Sequence, residues 1–170
     1  MKKLILFIFL SALLVAFPHS AQAYYDENTT LPATIVAPLM AWVEVQTGIH
    51  VPALPKVFAS RGMLRRIAAH STIRARGTPG ALFFGGMVVV DHHLFDERDG
   101  TQLSLLVHEL VHYAQSFTPR ARWSCERSKE EQAYTLQNRW LEGRGHYPIV
   151  RASWIQRMAS CPVQTVAMAQ

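Results

Sequence analysis

The chain has 170 residues, a formal net charge of +5 and two cysteines; 49% of its residues are hydrophobic and 17% charged. That balance suits one domain with its own core and excludes a disordered chain and a cysteine-rich miniprotein. The densest basic group, Arg61, Arg65, Arg66, Arg74 and Arg76, reads as a solvated helix face, and no specific nucleic-acid partner is expected.

Met1-Lys2-Lys3 precedes an apolar run from Leu4 to Phe17, then Ala21-Gln22-Ala23. A charged start, an apolar stretch too short to span a bilayer and an A-x-A site predict a signal peptide over residues 1–23. The expected mature chain is a single domain over residues 24–170, secreted or periplasmic, with no transmembrane segment left after cleavage. In that compartment Cys125 and Cys161 are expected to pair, which stabilises by about 3–4 kcal/mol on the chain-entropy account. Two free thiols, or Cys125 as a metal ligand, are the competing readings.

After a polar lead-in, Ile35, Val36, Leu39, Met40, Trp42 and Val43 recur at helical spacing over about Ala33–Thr47, with Gly48 as a stop and Pro38 as a start or kink. Pro52 and Pro55 suit an extended or edge segment ending in a short strand, Lys56–Ala59. Ser60 can cap a helix to about Ala69, with Met63, Leu64 and Ile67 inward. Two β-prone runs flanking Gly85-Gly86 predict a tight hairpin. A helix follows from about Thr101 to Phe117, ending before Pro119. Its neighbour, the hairpin's edge strand, is where an extended peptide can add as a further strand.

That helix carries His108-Glu109-Leu110-Val111-His112. Residues i and i+4 share a helix face, so two imidazoles can grip one cation, and Glu109 stands beside as general base toward an activated water. The blander reading is a pair of helix histidines satisfied by local hydrogen bonds. A catalytic zinc site needs a third protein ligand. The next helical pattern, Ser128–Leu141, offers Glu130 and Glu131. At about 100° per residue, its apolar set centres about 40° from Glu130 and about 140° from Glu131. Glu130 therefore points with the core-facing side. Glu131 completes a Ser128-x-x-Glu131 capping box.

His108-Glu109-Leu110-Val111-His112 followed by Glu130-x-x-Ala133-Tyr134 resembles a zincin metallopeptidase of the gluzincin type, and is similar to small exported bacterial proteins of uncharacterised zincin-like families. The resemblance covers about Leu82–Leu141. It implies Zn2+ on His108, His112 and Glu130, with Glu109 as base, in an α+β minimal zincin fold with helices packed on a short sheet. Tyr134 stands where many gluzincins carry an acidic residue.

Stabilising an oxyanion needs a further donor. His146 and Tyr147, in the loop Gly143–Pro148, are the first candidates, read alternatively as turn anchors; Tyr113 and Tyr134 are others. His92 and His93 can line a groove or simply sit at the surface, and Gln115 and Gln137 can hydrogen-bond across the two metal helices. A last helix, Ile149–Ala159, is expected to turn Val150, Trp154, Ile155 and Met158 inward. The expectation is a monomeric exported zinc metallopeptidase acting on a peptide or protein substrate. The alternatives are a catalytically inactive zinc-stabilised binding module and a purely structural domain.

Overall fold

The computed structural model describes residues 25–70 and 79–162. The expected signal peptide, Arg74 and Arg76 lie outside the described residues. In chain order come β1 (Thr29–Thr30), α1 (Ala33–Thr47), β2 (Lys56–Ala59), α2 (Arg61–His70), β3 (Ala81–Phe84), β4 (Met87–Val90), α3 (Gly100–Gln115), α4 (Lys129–Glu142) and α5 (Ala152–Ala159). Two single 3-10 turns, Arg120–Arg122 and Glu126–Ser128, link α3 to α4. The class is α+β. Among the described residues no helix is long and apolar enough to cross a membrane.

The sheet runs β1-β2-β4-β3 and is mixed. β2 pairs parallel with β4, and β1 and β3 add antiparallel on either side. β2 is thus a central strand. Pro52 and Pro55 lie before its first ladder residue, so they remove no hydrogen bond from it. Gly85 and Gly86, at φ +57° and +84°, form the two-residue turn between β3 and β4, where a β-carbon would be strained at both positions. Among the described residues β3 has no strand on its outer side and is an edge of the sheet.

α1 ends where expected: Gly48 takes φ +66° and its N–H closes on the Glu44 carbonyl. Pro38 sits on the solvent side, where its missing N–H leaves only an exposed carbonyl for water to satisfy. Ser60 does cap α2, accepting from the Met63 N–H at 3.1 Å. Asp99 caps α3, accepting from the Thr101 N–H at 2.7 Å. The expected Ser128–Glu131 capping box does not form. Ser128 already has helical backbone angles because the preceding turn runs straight into α4, and its hydroxyl donates backward to the Cys125 carbonyl at 2.7 Å.

α3 is the central element, packed on α4, α1 and the β3–β4 hairpin. Leu106, Val107, Leu110, Val111 and Ala114 are buried there against Val36, Leu39, Met40 and Val43 of α1 and Ala133, Leu136, Trp140 and Leu141 of α4. Burying each such aliphatic side chain favours the fold by about 1.5–3 kcal/mol, so the helix carrying the motif is the best-anchored one. α5 differs. It has no fully buried residue, and Trp154, expected inward, is 45% exposed.

Candidate metal centre

α3 and α4 lie side by side, and His108, His112 and Glu130 converge from them. His108 Nε2 and His112 Nε2 are 3.1 Å apart. Glu130 reaches both rings, with Oε2 at 3.4 Å from His108 Nε2 and Oε1 at 3.4 Å from His112 Nε2. Each imidazole nitrogen thus meets one oxygen of the same carboxylate, and with one atom taken from each residue the three donors lie within 4.8 Å of one another. The donor set, two imidazoles and a carboxylate, is one zinc favours. Glu131 is exposed.

The tautomer of His112 follows from its neighbours. Gln115 donates through Nε2 to the Lys129 carbonyl and to Gln132 Oε1, each at 3.0 Å. That fixes its amide so that Oε1 accepts, and the donor it meets at 2.9 Å is His112 Nδ1. With the proton on Nδ1, the lone pair of Nε2 is left facing Glu130 and His108. This is the orientation that outer hydrogen bonds impose on metal-ligating histidines. Gln137 makes the reciprocal crossing, donating from α4 to Ser104 Oγ on α3 at 3.2 Å. His108 Nδ1 is buried with no partner among the described residues.

Charge fits the same picture. Burial works against ionisation of Glu130, yet hydrogen bonds and charge from His108 and His112 outweigh it and hold this carboxyl well below the usual range. Burial alone would lower His112, but the bond to Glu130 and the charges of Glu109 and Glu130 raise it. The cluster is therefore an anionic cup that attracts a proton or, in competition, a cation.

Glu109 stands next along the helix. Its Oε2 accepts from the backbone N–H of Phe83 at 2.7 Å. Phe83 faces Val88 across the hairpin at a position where the ladder leaves its amide pointing off the free edge. The carboxylate is thus tied to the edge strand through one oxygen, leaving Oε1 for another partner. Nothing in the sequence singled out the Phe83 amide; it follows from the hairpin register.

The structure does not bring the other expected donors to this cluster. His146 packs on Gly100, where a β-carbon would lie 2.7 Å from its Nε2. Gly100 opens α3, eight residues and about 12 Å along the axis from His108. Tyr147 is 90% exposed. The reason is local: Gly145, at φ +76°, and the backbone bonds from Gly143, Arg144, Gly145 and His146 to the end of α4 fold the loop over the helix terminus. Tyr113 donates to the Ala53 carbonyl at 2.8 Å. His92 pairs with Glu27 at 2.8 Å near the start of α2, and the exposed His93 stacks on it. Tyr134 remains, its ring centroid 4.3 Å from that of His108.

The Cys125–Cys161 disulfide is formed, with Cα atoms 5.8 Å apart. No curated protein and no solved structure matches the chain. A family profile described as a domain of unknown function (DUF6647) matches residues 26–167, which takes in every residue of the cluster. The chain belongs to that family.

Proposed function

We propose that this protein is an exported zinc-dependent metallopeptidase of zincin type. One observation carries the reading: the Nε2 atoms of His108 and His112 and the carboxylate of Glu130 converge within 4.8 Å, with Glu109 adjacent and hydrogen-bonded to a free strand edge. His108, His112 and Glu130 would hold the zinc. When bound, zinc supplies a Lewis acid that polarises a carbonyl and lowers the pKa of water.

Glu109 supplies the proton chemistry. Its free oxygen accepts a proton from the attacking water as the new C–O bond forms, and it delivers that proton to the leaving nitrogen as the C–N bond breaks. Phe83 holds the base in place and offers its own carbonyl, with that of Ala81 at the next outward-facing position of β3, to an extended peptide chain. The apolar leader, the A-x-A site and the disulfide support export.

The same Phe83–Glu109 bond favours a second reading, a zinc-stabilised binding module in which Glu109 only braces the hairpin. Glu109→Gln separates the two. The chain lacking residues 1–23 is assayed for zinc content and for hydrolysis of a peptide library. As a peptidase, the variant keeps one zinc and loses activity by about 10²-fold or more. Hydrolysis unchanged by the substitution removes Glu109 as base, and zinc binding with no hydrolysis by either protein leaves the binding module.

A further inference from the structure

α5 buries none of its eight residues fully, and a helix that short does not hold its shape in water unaided. Fastenings at both ends supply what burial does not. At its entry, Asn138 of α4 accepts from the N–H groups of Ile149 and Val150 at 3.2 and 3.1 Å and donates to the Val150 carbonyl at 2.7 Å. At its exit, Arg127 donates to the carbonyls of Met158 and Arg157 at 3.1 and 2.7 Å, two of the acceptors a helix end leaves open. The disulfide closes two residues beyond its last turn. Ile155, Met158 and Ala159 are half-buried beneath the helix, and its outer side stands in solvent.

That outer side has a definite chemistry. Arg151, Trp154 and Arg157 recur at every third position, which sets them in one row along the helix. The Arg157 guanidinium lies 5.3 Å from the Trp154 ring centroid. With Ile149, Val150 and Ser153 these three line one open hollow, in which Trp154 is 45% and Ile149 47% exposed. No aspartate or glutamate follows Glu142 in the chain, whereas Arg144, Arg151 and Arg157 do. Among the described residues none of these three arginines is in an ion pair.

We infer that this side of α5 docks the protein on an anionic phospholipid surface, with the guanidiniums at the phosphates and the Trp154 indole at the edge of the acyl layer. An exposed indole beside an aliphatic side chain and several cations is the composition that settles at a bilayer interface. A second copy suits it poorly, because a two-fold contact would set Arg151 and Arg157 against their own kind. An acidic protein would need an enclosed pocket in which to seat its anchors, and this hollow is open. A layer of phosphates needs no such fit. The export proposed above brings the chain to a membrane, and docking through α5 is independent of the metal centre.

The test is cosedimentation of the chain lacking residues 1–23, which retains every described element, with vesicles. One set is phosphatidylglycerol and phosphatidylcholine in equal parts, and the other is phosphatidylcholine alone. The protein should bind the anionic set and not the neutral one. Arg151→Glu with Arg157→Glu should lower the partition coefficient by about 20-fold or more, and Trp154→Ala by about 3- to 10-fold. Arg65→Glu with Arg66→Glu, on the basic but non-aromatic face of α2, should change it by less than about twofold. All of these side chains are exposed, and an unchanged circular dichroism spectrum confirms that each variant is folded. Absence of binding to anionic vesicles overturns the inference, as does an equal loss in the α2 variant, which would mean general charge adhesion. Binding of polyglutamate that the α5 variants abolish would assign the face to an acidic protein instead. A lipid-free dimer that Trp154→Ala dissolves would assign it to a second copy.

Discussion

α4 and α5 both follow α3 in the chain and both carry an amphipathic pattern, yet they are held by different forces. α4 buries Ala133, Leu136, Trp140 and Leu141 against α3, and Glu130 rides on that packing. α5 buries nothing fully and depends on Asn138, Arg127 and Cys125–Cys161. A ligand placed by hydrophobic burial is positioned wherever the core forms. A side chain placed by clamps is positioned only while those clamps are intact, so the two helices should respond differently to the same perturbations.

The largest separation is expected in the core. Trp140→Ala should cost about 3–5 kcal/mol in urea unfolding, whereas Trp154→Ala should cost under about 1.5 kcal/mol because its ring is half-exposed. Comparable losses would erase the distinction. Next comes the disulfide: Cys125→Ser with Cys161→Ser should lose about 3–4 kcal/mol, with hydrogen exchange accelerating first in α5 and zinc still bound. Loss of zinc with the disulfide would mean that α4 too depends on the staple.

Acidity sharpens the comparison at the cluster. Glu130 is lowered, so its stabilisation is present above the ordinary carboxylate value of about 4.3 and is lost only as pH falls toward its own. His112 is raised, so its contribution is complete below about pH 6.5 and disappears as pH rises through the raised value. Metal-free protein should therefore lose stability from this pair above about pH 6.5. Zinc requires the deprotonated ring, so the rise in Tm on adding zinc should be larger at pH 8 than at pH 6. A zinc effect independent of pH would contradict this. The smallest effect is Asn138→Ala, about 1 kcal/mol, confined to exchange of Ile149 and Val150 and leaving zinc affinity unchanged.

Much of this arrangement was legible in the residues because it follows from periodicity. The phase of Ala133, Leu136, Trp140 and Leu141 puts Glu130 inward, Gly85-Gly86 sets the hairpin, and Gln115 and Gln137 do cross between helices. What was not legible depends on loop paths. His146 turns onto Gly100 because Gly145 bends the chain there, and a 3-10 turn pre-empts the Ser128 cap. Trp154 has apolar spacing that predicts burial. The half-exposed shelf it occupies is fixed by Arg127 and a disulfide thirty-six residues long, contacts no local pattern encodes.

The most direct test of the proposed metal centre is zinc stoichiometry and affinity in two neighbouring variants, Glu130→Ala and Glu131→Ala, measured by competition with a chromophoric chelator. One zinc per wild-type chain, an affinity loss of about 10²-fold or more in Glu130→Ala and none in Glu131→Ala is the predicted result. Unchanged affinity in Glu130→Ala, or no zinc in the wild type, would contradict it.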